Sequence, residues 1–133
     1  IIMSNSVCNF DKGATVMILF IEYPKCGTCR KAKKWLEENG LEFNDRNIVT
    51  DNPTFDELKE WSKLGGIPIR KLFNTSGLLY KSMGLKDKLS DMSDDEMLNI
   101  LASDGMLVKR PLVIGDNFVL SGFKEDVWKN TII

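Results

Sequence analysis

The apolar positions of this chain change their period several times, and each change marks an element. Met17 to Ile21 (MILFI) is an unbroken apolar run, short enough for a buried strand and ended by Glu22-Tyr23-Pro24. Strong helix formers then fill Arg30 to Asn39, and Gly40 is a stop signal. The spacing predicts a helix from about Gly27 to Asn39, with Ala32, Trp35 and Leu36 on its core flank. Leu41 to Val49 (LEFNDRNIV) alternates well enough for a second strand, anchored by Phe43 and Ile48. A strand, a helix and a strand with short joints form a βαβ unit, which implies a parallel pair.

The middle of the chain is helical in pattern. Thr54 with Glu57 and Ser93 with Glu96 are capping-box pairs, so helices should run from Phe55 to about Leu64 and from Ser93 to about Ala102. Between them, Ile67 to Phe73 fits a short helical turn, and Leu78 to Met83 a further short helix. Strand patterning returns after Pro111, where Leu112-Val113-Ile114, the turn Gly115-Asp116-Asn117 and Phe118-Val119-Leu120 read as a hairpin. Lys124 to Lys129 closes the chain as a helix, with Phe123, Val127 and Trp128 as its buried side. The order predicts an α/β domain over 17–133, with a mixed sheet of about four strands and a helical insertion over about 54–104.

Residues 1–16 lack periodicity, as well as the charged start and apolar core of a signal peptide, and read as a disordered or artificial extension that includes Cys8. With 133 residues the chain is one domain. Its net charge of −1 gives no reason to expect direct nucleic-acid binding. No run approaches the roughly 20 apolar residues of a membrane span. Three cysteines are an odd number for a secreted disulfide framework, and a reducing cytoplasm is the expected compartment.

Chemistry concentrates in Lys25-Cys26-Gly27-Thr28-Cys29-Arg30, between the first strand and the first helix. There Cys26 stands at a helix N-terminus, whose unpaired N–H groups and positive dipole end favour a thiolate or an oxyanion. Lys25, Arg30, Lys31, Lys33 and Lys34 surround it without an intervening acid. Cys29, three residues on, can share its side of the helix at a separation a disulfide tolerates. The pattern fits attack by Cys26 and resolution by Cys29 in a reversible disulfide. A tetrahedral metal site wants four ligands, and a chain with no histidine and one further cysteine does not supply them. Two inert thiols on a helix are the bland alternative. Lys31, Lys33 and Lys34 read as a solvated face, Thr28 as a cap, and Trp35 and Trp128 as core.

Three segments together resemble the glutaredoxin-coupled arsenate reductase family and its Spx-type relatives. They are Tyr23-Pro24-Lys25-Cys26-Gly27-Thr28-Cys29-Arg30, Ile69-Arg70-Lys71-Leu72-Phe73-Asn74 and Lys109-Arg110-Pro111-Leu112-Val113-Ile114. The likeness spans about residues 17–130. It implies a thioredoxin-like fold with an inserted helical segment, Cys26 as catalytic nucleophile, and a cis peptide before Pro111. It further implies an oxyanion site of Arg70 and Arg110, with Gly27 and Thr28 at the helix mouth, because guanidinium forks suit a tetrahedral oxyanion. No bound cofactor is implied. Glutathione with glutaredoxin, or a thioredoxin-type protein, would be the reductant. Two departures weigh against arsenate itself: no further arginine follows the Arg-Pro strand, and no histidine precedes Cys26. Cys29 is the feature shared with Spx-type redox-sensing regulators, which bind RNA polymerase. A regulator working through the RNA polymerase α subunit therefore stands beside the reductase as the alternative.

Overall fold

A computed structural model describes residues 18–133. The expectations for residues 1–16, Cys8 included, lie outside the described residues. Strand β1 (Ile18–Glu22) leads into helix α1 (Gly27–Glu38) and strand β2 (Phe43–Asn47), which pairs parallel with β1. Helices α2 (Phe55–Gly65), α3 (Leu78–Ser82), α4 (Leu85–Lys88) and α5 (Asp94–Ser103) follow, joined by 3-10 turns at Ile69–Leu72, Leu89–Asp91 and Gly105–Leu107. Strands β3 (Leu112–Ile114) and β4 (Val119–Ser121) pair antiparallel, and α6 (Glu125–Ile132) closes the chain. The sheet order is β2-β1-β3-β4, with β3 antiparallel to β1. It is the mixed four-stranded sheet of the thioredoxin-like α/β class.

The period-2 alternation of the strands sorts their side chains into two layers. Ile18, Phe20 and Val113 meet Ala32, Trp35 and Leu36 of α1 and Trp128 of α6 on one face. Trp35 and Trp128 pack edge to face at 5.8 Å, and Phe123 meets Trp128 at 4.8 Å. On the opposite face Ile21, Leu112 and Val119 meet α2, α5 and the 3-10 segments through Leu58, Trp61, Leu72, Leu98 and Leu101. Both faces of β1 are therefore buried, which is why its sequence is continuously apolar until Glu22.

Local signals end the helices where their chemistry requires. Thr54 and Ser93 each accept from the N3 backbone N–H while Glu57 and Glu96 reach back, so both capping boxes form. Gly66, at φ 62°, ends α2 in the left-handed conformation that glycine adopts without penalty. The peptide between Arg110 and Pro111 is cis, as the resemblance implied. It turns the chain from the helical segment into β3.

Candidate active site at the start of α1

The site is built where β1 ends and α1 begins. Cys26 is the N-cap of α1: its extended backbone (φ −87°, ψ 120°) precedes the first helical turn, and its N–H donates to the Tyr23 carbonyl at 2.9 Å. A cysteine in the position usually held by Ser, Thr, Asp or Asn offers sulfur as the capping acceptor. The Cys29 N–H donates to Cys26 Sγ at 3.4 Å. Gly27 and Thr28 complete the turn and are exposed. The N–H groups of the first turn thus face the sulfur, and a negative charge there is favoured.

The two cysteines differ sharply in environment. Cys26 is half-buried, whereas Cys29 is completely buried beneath α1. Partial burial opposes ionisation of Cys26, but hydrogen bonds from Cys29 and from the Thr28 backbone, together with the charge of Arg110, outweigh it, and its pKa falls below the ordinary thiol value. Burial pushes the Cys29 thiol up to about 12, helped by the neighbouring Cys26 and by the charge of Glu22. One sulfur is prepared as a thiolate and the other is held as a thiol.

The cation acting on Cys26 is not one of the five neighbours in sequence. Lys33 binds Asp45 Oδ2 at 2.7 Å, and Arg30 Nη1 donates to the Pro24 carbonyl at 3.0 Å. Arg110 comes from the far end of the chain instead. Its guanidinium lies over the Tyr23 ring at 5.3 Å, and Nη1 donates to the Met106 carbonyl at 3.2 Å.

Arg70 lies on the second of the three motif segments. It is exposed on the 3-10 segment after α2 and lines a cavity of about 770 Å³ with Lys71, Asn74, Tyr80, Lys86 and Lys109. Arg110 is the arginine whose charge acts on the Cys26 sulfur. No group of three or more potential metal ligands occurs among the described residues.

One ionisable residue of the site is absent from the sequence reading. Glu22 is 6% exposed and stands in the layer between β1 and α1. Burial and the nearby Asp45 raise its pKa to about 7, with Lys33 opposing the rise. The signal lies in the strand alternation: Ile18, Phe20 and Glu22 share a face, and that face is the one α1 covers.

Comparison with known proteins decides the family. Residues 21–131 match the family model described as ArsC family. The chain belongs to the ArsC family. YusI of Bacillus subtilis is 54% identical over 109 residues, spanning 82% of this chain and 92% of YusI. The regulatory protein MgsR of the same organism is 30% identical over 106 residues, spanning 80% of this chain and 82% of MgsR. The crystal structure of an ArsC family related protein from Bacteroides fragilis superposes with a TM-score of 0.84 at 51% identity, covering 88% of this chain and 98% of that one. On that scaffold a second, buried cysteine, Cys29, stands behind the first. No helix among the described residues is long and apolar enough to cross a membrane.

Proposed function

We propose that this ArsC-family chain is a thiol–disulfide oxidoreductase in which Cys26 attacks and Cys29 resolves. The observation that carries the reading is the asymmetry of the pair. Cys26 Sγ accepts the Cys29 N–H at 3.4 Å at an open helix mouth, and Cys29 is sealed behind it. A thiolate that substrate can reach opens a disulfide, and a thiol that substrate cannot reach closes the next one internally. A tetrahedral oxyanion wants several guanidinium forks, and no further arginine follows the Arg-Pro strand, which favours a disulfide over arsenate. Glutathione with glutaredoxin, or a thioredoxin-type protein, would return the pair to the dithiol in a reducing cytoplasm. No bound cofactor takes part.

Similarity to a regulatory protein at 30% identity favours a second reading, in which the same pair switches contact with the RNA polymerase α subunit. The experiment measures glutathione-coupled reduction of a small disulfide, of arsenate with glutaredoxin, and retention of reduced and oxidised protein on immobilised α subunit. The first reading expects disulfide turnover that Cys26→Ser abolishes and Cys29→Ser slows. Absence of turnover with retention that follows the redox state transfers the function to the regulator.

A further inference from the structure

An aromatic side chain stands beside the cation of this site, and its place follows from register. Strand β1 pairs antiparallel with β3, Leu19 with Ile114, Phe20 with Val113 and Ile21 with Leu112. Continued two positions past the last of these pairs, the same register sets Tyr23 opposite Arg110. Tyr23 is the first residue after β1 and Arg110 stands two residues before β3, so both lie at the end of the sheet where α1 begins. The Arg110 guanidinium lies over the Tyr23 ring, 5.3 Å from its centroid. At that distance a cation is attracted to the negative face of an aromatic ring. Tyr23 is itself half-buried and packs against the core on the α2 and α5 side of the sheet, so the ring is a fixed shelf.

Tyr23 reaches the cysteine as well as the cation. Its carbonyl accepts the Cys26 N–H at 2.9 Å, which ties the N-cap residue to the end of β1. Arg110 has few other restraints. Its Nη1 donates to the Met106 carbonyl at 3.2 Å and to the Val108 carbonyl at 3.5 Å, and both bonds start from the same nitrogen. Among the described residues no carboxylate forms an ion pair with Arg110. The guanidinium thus keeps its full charge, held at one nitrogen by backbone and on one face by the ring. Without the ring, a side chain this rich in rotamers would spread that charge over many positions.

We propose that Tyr23 is the positioning residue of this site: its ring holds the Arg110 guanidinium at the mouth of α1 while its carbonyl holds Cys26 there. The proposal rests on Cys26 as the attacking thiolate and adds what keeps its cation in place. Tyr23 takes no part in making or breaking bonds. The cation favours the thiolate of Cys26 only while it stays near the sulfur, because Coulomb attraction falls with distance and is screened by intervening water and salt. A fixed positive charge also sorts reagents. A disulfide that carries carboxylates is drawn to it, and one that carries ammonium groups is repelled. The face of the ring supplies the hold, so phenylalanine serves in place of tyrosine and leucine does not.

The test uses the full chain with Cys29→Ser, so that an adduct on Cys26 stays in place. The Cys26 peptide is followed by mass spectrometry, so that no other cysteine contributes. Alkylation by iodoacetamide is measured across pH, and rates with dithiobis(nitrobenzoate), a dianion, and cystamine, a dication, are compared. In that background Tyr23→Leu should move the alkylation midpoint to higher pH and cut the ratio of dianion to dication rates by about threefold or more. Tyr23→Phe should restore both readouts. Arg110→Gln should reproduce the loss, and Tyr23→Leu added to it should change neither readout further, since the ring then has no cation to hold. An unchanged midpoint and ratio in Tyr23→Leu overturns the proposal. So does equal slowing of both disulfides, or a second change of the same size in the double variant, because either marks an effect on the turn at Cys26 that does not pass through Arg110. A midpoint at the ordinary thiol value of about 8.5 with Tyr23 and Arg110 both intact overturns the reading of Cys26 as the attacking thiolate, and the proposal with it.

Discussion

At the residue scale, most of the chemistry rests on which face of a strand a side chain occupies. Glu22 follows Ile21 in an apolar run and in sequence looks like the polar residue that ends a strand. It is the last inward-facing position of β1 instead, so the domain buries a carboxyl beneath α1. The cost has a definite pH dependence. Burial first, and then Asp45, raise the folded-state pKa from the ordinary 4.5 to about 7, so folding favours the protonated carboxyl. The stability linked to that proton is complete below about 4.5 and is lost as pH rises through about 7. Glu22→Gln has no proton to lose. Thermal or urea unfolding should therefore show the variant gaining on wild type between about pH 4.5 and pH 8, by up to about 3 kcal/mol. A constant difference across that window would mean that the carboxyl is solvated as in the unfolded chain. Cys26 teaches the same lesson about direction. Five cations adjoin it in sequence, yet α1 carries Arg30 and Lys33 towards other partners, and the cation that acts arrives from Arg110.

At the element scale, what was legible in the sequence is what local physics decides. The apolar run of β1, the helix formers of α1 and the capping boxes at Thr54 and Ser93 each specify their element with little help from the rest of the chain. Helix α4 (LKDK) was not legible, because three of its four residues are charged and it is held by one buried side chain, Leu85. The predicted second strand shrank from Leu41–Val49 to Phe43–Asn47, since only those residues pair with β1. Long-range approach is invisible to pattern altogether. Gly105 opens the 3-10 turn before β3, and any Cβ there would overlap the carbonyl oxygen of Ile48, just beyond β2. Gly105→Ala should thus lower stability by about 2 kcal/mol through forced separation of the two backbones, read as a lower urea midpoint with an unchanged slope. A midpoint within error of wild type would show that the turn yields freely.

At the scale of the whole molecule, the fold brings three distant stretches to one sulfur. Strand β1 ends at Glu22 and Tyr23, helix α1 presents Cys26 and Cys29, and the turn at Arg110-Pro111 returns a guanidinium over the Tyr23 ring. The cysteine pair and Arg110 were legible as candidates because their residue types are chemically pointed and their motif resembles a family. Arg70 looked equivalent in sequence, and it lines a cavity with Lys71, Asn74 and Lys109. The central claim is the division of labour between Cys26 and Cys29, and site-resolved trapping after brief exposure to glutathione disulfide tests it most directly. Samples are alkylated under denaturing conditions and mapped by peptide mass spectrometry. The wild type should lose both thiols together as a Cys26–Cys29 disulfide that dithiothreitol reverses. Cys29→Ser should carry glutathione on Cys26, and Cys26→Ser should leave Cys29 free. Glutathione found equally on both cysteines, or on Cys29 alone, would contradict the account.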